Sequence, residues 1–286
     1  MIKLNGEEFE LNRFLDGTLN IKCDPKLLRE NKPIIITWIY ENDSEFMAVA
    51  FLRKYYERND NVILFLPYIP NARMDRIKED NDVFTLKYFA EMINSLNFTS
   101  VYVVDPHSDV STALINNCMI ISVDNIFDVV VQMIIDAEKI NDVNNFPIVF
   151  YPDFGAMRKY CKTDKDLLPY AYGNKNRDWE TGKITNYSIV GINSEIIKNR
   201  PVIIRDDILS EGTTVCNAVR KLKKLGASNI YLFVTHLENN SKLMYKLKKD
   251  LFEFSLITHI FTTDSIYAHE SDNKVTVFNL GLKTNE

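Results

Sequence analysis

Two adjacent carboxylates, Asp206 and Asp207, close the apolar run Pro201-Val-Ile-Ile-Arg205. A short turn with glycine and hydroxyls follows, Ser210-Glu211-Gly212-Thr213-Thr214, and then an amphipathic helical pattern over 215–225. This order sets the acidic pair at the carboxyl end of a buried strand and aims the unpaired N–H groups of a helix start at the crevice above it. Neighbouring carboxylates accept hydrogen bonds from a vicinal diol, and helix-start amides hold a phosphoryl group. The segment therefore reads as a cradle for a ribose bearing a 5'-phosphoryl group. The plain alternative is an N-capping loop with a solvated acidic pair. Neither G-x-G-x-x-G nor G-x-x-x-x-G-K-[ST] occurs, so any nucleotide is held by another device.

Four further segments carry residues suited to phosphate chemistry. Arg73, Asp75 and Arg76 lie in the proline-interrupted loop 66–76, and paired guanidinium groups match polyphosphate oxygens. By itself, a surface loop with local salt bridges explains them as well. His107, in Val104-Asp-Pro-His-Ser108, follows another apolar run; it is either a hydrogen-bonded structural residue or a neutral imidazole beside a Mg²⁺-bound polyphosphate. Asp153, in Tyr151-Pro-Asp-Phe-Gly155, sits at a third strand end, where glycine permits close backbone approach. Lys175 and Arg177 belong to Tyr172-Gly-Asn-Lys-Asn-Arg-Asp178, which reads as a mobile surface loop. Basic loops of this kind close over transferring phosphoryl groups.

The elements that must position these groups alternate. Strands are predicted over 33–39, 61–66, 100–104, 148–151, 202–205 and 229–234, and helices over 44–56, 84–96 and 214–225. Such alternation favours an α/β fold with a mainly parallel sheet. Residues 96–107 and 225–236 share a Leu-to-His spacing and a Tyr two places into the apolar run, which predicts two similar α/β units. The polar stretch 136–146 is the expected hinge between them. With 46% hydrophobic and 26% charged residues the composition is that of a soluble globular protein, and the net charge of −5 argues against a coat on nucleic acid. The scattered cysteines Cys23, Cys118, Cys161 and Cys216 form no CxxC pair, and no apolar stretch is long enough to span a bilayer. The first residues lack the basic start and apolar core of a signal peptide, so a cytoplasmic location is expected.

In order and spacing, the loops resemble those of the ribose-phosphate pyrophosphokinases (phosphoribosyl pyrophosphate synthetases), from Arg13-Phe-Leu-Asp-Gly17 to Thr263-Asp-Ser-Ile266. The resemblance implies two tandem phosphoribosyltransferase-like α/β domains, each a mainly parallel sheet flanked by helices. An ATP-binding domain would span 1–135 and a ribose-phosphate-binding domain 136–286. Phe14 and Asp16 would hold adenine, reaching in from a neighbouring subunit of a homo-oligomer built on dimers, with a hexamer as one form. Arg73, Asp75 and Arg76 would contact the ribose and phosphates of ATP, and His107 and Asp153 would lie at Mg²⁺. Asp206 and Asp207 would hold the acceptor's diol, and Ser210, Glu211, Gly212, Thr213 and Thr214 its 5'-phosphoryl group. The implied reaction is attack of the ribose 1-hydroxyl on the β-phosphorus of Mg-ATP, moving the β,γ-diphosphoryl group and releasing AMP. Lys175 and Arg177 would stabilise the transition state.

The chain also departs from the family pattern, at Thr18, Met74, Ala156 and above all Glu211, which stands in a phosphate loop that usually reads Asp-Thr-Gly-Gly-Thr. A carboxylate about 4 Å from one charge of a terminal phosphate costs about 4 kcal/mol at an effective dielectric near 20. Glu211 therefore either turns to solvent or selects against such an end. A diphosphate esterified to a second nucleoside has no terminal dianion there. In this the chain resembles a phage-encoded branch of the family that acts on ADP-ribose in NAD salvage, which would place it in a host cytoplasm. ADP-ribose is thus the expected acceptor, with ribose 5-phosphate as the alternative. A phosphoribosyltransferase, or a non-catalytic regulatory homologue, accounts less well for Phe14, Asp16, Arg73, Arg76, Lys175 and Arg177.

Overall fold

The computed structural model describes residues 1–28, 32–161, 168–177, 184–240, 243, 245, 247, 249 and 256–281. They fall into two compact units: Met1–Ser122 joined by Leu280 and Gly281, and Val123–Asn279.

The first unit opens with β1 (Ile2–Leu4), β2 (Glu7–Glu8) and a small hairpin of β3 (Asn12–Arg13) and β4 (Leu19–Asn20). Then follow β5 (Ile34–Trp38), α1 (Glu45–Tyr55), β6 (Val62–Leu66), α2 (Thr85–Ser95), β7 (Ser100–Val104), α3 (Asp109–Leu114) and β8 (Cys118–Ile121). The sheet order is β2-β1-β5-β6-β7-β8, parallel from β5 to β8 with β1 and β2 antiparallel at one edge. Strands β5 and β6 are apolar along nearly their whole length, as strands covered on both faces must be. Trp38, Leu52, Leu64, Leu86 and Ile93 are fully buried between sheet and helices.

The second unit begins with α4 (Asp124–Ala137) and continues through β9 (Ile148–Tyr151), α5 (Phe154–Tyr160), β10 (Tyr170–Arg177), β11 (Ile184–Val190) and α6 (Ser194–Ile197). After these come β12 (Val202–Leu209), α7 (Thr213–Lys224), β13 (Ile230–Leu237), β14 (His259–Thr263) and β15 (Val275–Phe278). The sheet runs β11-β10-β9-β12-β13-β14-β15, all parallel except the antiparallel hairpin β10–β11. From β9 the chain goes to one side, to β10, and then crosses back to β12. The reversal of strand order lies between β9 and β12, where open α/β sheets form a crevice at their carboxyl ends.

Three sequence expectations are revised here. The polar stretch 136–146 is not where the chain divides; it holds the end of α4 and a short 3-10 turn, Val143–Asn145, inside the second unit. Helix α4 is tied to that unit's sheet. Arg205 donates to Asp124 at 2.6 Å, the Phe127 and Phe233 rings lie 5.5 Å apart, and Glu138 accepts from Asn229 at 2.7 Å and from the Tyr231 hydroxyl. Second, β12 does not end before the acidic pair but runs through it to Leu209. Its pairing with β13 continues to Leu209↔Leu237, while pairing with β9 stops at Ile204↔Phe150. Pro152, directly after β9, has no N–H with which to extend the ladder. Third, residues 172–177 are part of β10 and not of a surface loop; Asp178 lies outside the described residues.

The internal repeat has a structural counterpart. After α2 and after α7 the chain turns through a left-handed residue, Asn97 (φ 53°) and Gly226 (φ 99°), before entering β7 and β13. Its two histidines differ: His107 is exposed beyond β7, whereas His236 is buried in β13 with Nδ1 2.8 Å from Ser265 Oγ. No helix among the described residues is long and apolar enough to cross a membrane.

Candidate active site

In the second unit, three carboxylates gather where the strand order reverses. Asp153 caps the start of α5, its Oδ1 accepting from the Ala156 amide at 2.9 Å. Asp206 and Asp207 lie on the part of β12 that outruns β9. The Asp206 carboxyl is deep in the crevice but keeps an opening to solvent, and its Oδ1 accepts from the Asp207 amide at 3.1 Å. Burial, then the charge of Asp207 and then that of Asp153, hold this carboxyl well above the usual carboxylate range. Asp207 is buried and has a counter-ion, Lys159 of α5, with Nζ 3.7 Å from Oδ2. The pair thus combines a carboxyl inclined to keep its proton with one that faces a cation. It can both donate to and accept from the hydroxyls of a diol.

Beyond Leu209 the chain turns at Ser210 and the exposed Glu211, reaches Gly212 in the left-handed region (φ 69°), and enters α7. That backbone conformation is costly for a residue with a Cβ, and an added Cβ would also meet Leu243 Cδ1 at 3.2 Å. The turn leads directly into the start of α7, the end of a helix at which anions are favoured. It is braced from behind: Asn240 Nδ2 donates to the Ser210 carbonyl at 3.1 Å, and the Glu238 amide donates to the Leu209 carbonyl at 3.1 Å.

Lys175 and Arg177 lie on β10, in register with Tyr187 and Ile184 of β11. Tyr187 is buried, and its hydroxyl donates to the Pro152 carbonyl at 3.0 Å. Directly under the acidic pair, Arg205 is buried between two rings, with its guanidinium carbon 4.1 Å from the centre of Phe127 and 4.2 Å from that of Tyr160. Lys159, Tyr187 and Arg205 were not singled out in the sequence. The adjacent cations Arg158 and Lys159 on the helix after Asp153 are the signal in the sequence that points to a counter-ion.

The first unit brings together Asp75, Arg76 and His107. Asp75 is buried and receives a two-pronged pair of hydrogen bonds from Arg76, Nε to Oδ1 at 2.7 Å and Nη2 to Oδ2 at 2.9 Å. Those bonds, with the charges of Arg76 and His107, hold its carboxyl below the usual range against the effect of burial. Arg73 is exposed. Phe14 and Asp16 sit at the tip of the β3–β4 hairpin with Phe14 exposed. Asp16 accepts from the Thr18 amide at 3.0 Å and its hydroxyl at 2.7 Å, so the departure at Thr18 serves the turn itself.

His107 belongs to the first unit and Asp153 to the second. Among the described residues no three His, Cys, Asp or Glu side chains form a cage for a metal ion. The oxygen donors of the acid cluster suit a hard cation that keeps waters and phosphate oxygens as ligands, as Mg²⁺ does, and do not suit one enclosed by protein.

The family model described as a phosphoribosyl transferase domain matches residues 165–270, within the second unit. The chain is 26% identical over 229 residues to a ribose-phosphate pyrophosphokinase of Saccharolobus solfataricus, covering 78% of this chain and 74% of the relative. It is 26% identical over 281 residues to one of Thermotoga maritima, covering 95% and 82%. In fold it is similar to the crystal structure of phosphoribosylpyrophosphate synthetase from Mycobacterium smegmatis, with a TM-score of 0.73 over 94% of this chain and 85% of that one, at 17% identity. In sequence over most of its length, and in its paired α/β units, this chain is similar to the ribose-phosphate pyrophosphokinases.

Proposed function

We propose that the protein is a diphosphotransferase that moves the β,γ-diphosphoryl group of Mg-ATP to the 1-hydroxyl of a ribose 5-phosphoryl acceptor and releases AMP. The acid cluster beside the Gly212 turn carries this reading, because diol and phosphoryl recognition meet in one crevice of one unit. Asp206 donates to one acceptor hydroxyl and Asp207, paired with Lys159, accepts from the other. The amides of residues 210–214 hold the 5'-phosphoryl group. In the first unit, Arg73, Asp75, Arg76 and His107 bind ATP, with Phe14 and Asp16 completing the adenine pocket of a neighbouring subunit in a homo-oligomer. His107 in the first unit and Asp153 in the second would each offer a ligand to Mg²⁺, which when bound neutralises polyphosphate charge. Lys175 and Arg177 offset the charge that develops as the diphosphoryl group transfers; positioning and charge stabilisation account for most of such catalysis.

Ribose 5-phosphate is the acceptor that the names of the relatives support. One observation favours ADP-ribose as a second reading: the exposed Glu211 brings a negative charge to the phosphate turn, where a terminal dianion is disfavoured and an esterified diphosphate is tolerated. The NAD-salvage role and the phage source rest on that second reading. Coupled measurement of AMP release with Mg²⁺ and each acceptor in turn tests both. Release dependent on either acceptor is expected, the faster one identifies the substrate, and no release with either would overturn the proposed activity.

A further inference from the structure

We infer that Tyr187 is a positioning residue that pins the strand carrying Lys175 and Arg177 to the Asp153 loop. The inference rests on the activity proposed above. Tyr187 stands on β11 in register with Lys175 on β10, and β10 in turn pairs with β9 through Tyr172↔Tyr151. The Tyr187 ring crosses β10 at Gly173, where an added Cβ would fall 2.2 Å from its hydroxyl oxygen and 2.5 Å from the Pro152 carbonyl. The hydroxyl ends on that carbonyl, one residue before Asp153. Gly173 is thus the clearance through which a side chain of one strand passes over its neighbour to reach the loop beyond.

The bond has the features of a fixed tie. Tyr187 is buried, and burial, with the charges of Asp153 and Asp206 behind it, pushes its phenol far up, so it remains a donor at any working pH. Pro152 ends β9, and its carbonyl is taken by this side chain. The strand bearing the cationic pair and the loop bearing Asp153 are therefore linked by a bond outside the sheet ladder. A cationic pair acting on a transition state must be held to within a fraction of an ångström, and a strand fixed at one point meets that need better than a free loop.

The test is Tyr187→Phe, which keeps the ring and deletes one donor. Amide hydrogen exchange across Tyr170–Arg177 and Ile184–Val190 should quicken about fivefold, the worth of one hydrogen bond, while exchange in Val202–Leu209 stays as in wild type. In the AMP-release assay kcat should fall roughly three- to tenfold, with KM for the faster acceptor changed less than twofold. Unchanged hairpin exchange would overturn the tie, and quickened exchange with unchanged kcat would overturn its role in positioning. A wild-type protein that releases no AMP would defeat the proposed activity instead, and the exchange measurement would still decide whether the tie exists.

Discussion

Asp206→Asn should make the unliganded protein more stable at alkaline pH. The substitution keeps the side chain's shape and deletes a charge that burial and two neighbouring carboxylates disfavour. Because the folded-state pKa of Asp206 is raised, the folded chain binds this proton more tightly than the unfolded chain does. The stability so conferred is fully present below the ordinary value of 3.8 and is lost as pH rises through the folded value. Repulsion between two neighbouring carboxylate charges is on the order of 3 kcal/mol at an effective dielectric near 20. Lys159, 3.7 Å from Asp207, offsets part of that, leaving a gain of about 1–2 kcal/mol for the amide. In a unit of this size that corresponds to a rise in Tm of about 3–6 °C. Thermal unfolding of wild type and variant, without ligands, at pH 5 and pH 8 reads the effect as a difference between the two proteins, so carboxylates elsewhere cancel. The advantage of the variant should grow between the two pH values. A variant with lower Tm at pH 8, or a difference that does not move with pH, would show that the acid cluster is not under electrostatic strain.

Two further substitutions probe the surroundings of the cluster. Glu211→Thr removes the exposed carboxylate from the phosphate turn and should raise kcat/KM for ribose 5-phosphate relative to ADP-ribose by about tenfold or more; an unmoved ratio would make Glu211 irrelevant to the choice of acceptor. Arg205→Lys keeps the charge but loses the flat group stacked between Phe127 and Tyr160 and the 2.6 Å bond to Asp124. It should cost about 2 kcal/mol in denaturant unfolding, and a cost below about 0.5 kcal/mol would mean the stack does little.

Where the sequence carried apolar runs of the right length, it foretold the elements. β7 and β9 fall on the predicted 100–104 and 148–151, and α1, α2 and α7 within a residue of their expected ends. The acidic pair and the glycine turn were legible because few other arrangements need two carboxylates beside a helix start. The hairpin β10–β11 was not, since a run such as Tyr172-Gly-Asn-Lys-Asn-Arg177 has the polarity of a loop and is made a strand by its partners. Gly173, inside the segment that reads as a loop, serves close approach between packed groups. Lys159 and Arg205 escaped notice because a counter-ion is defined by what it faces, and chain order does not show that. The division before α4 was hidden for the same reason: α4 bonds to β12 and β13, far away in sequence.

Pro152 ends β9, and β12 runs five residues past its last pairing with β9, from Arg205 to Leu209, a distance of about 16 Å. The room available above the acid cluster is thus set by where one strand stops. Moving that stop would move the Asp153 loop as well, because Asp153 follows Pro152 directly and Tyr187 holds the Pro152 carbonyl. The edge that bounds the acid cluster and the tie that holds the β10–β11 hairpin thus share one peptide, and neither can be altered alone.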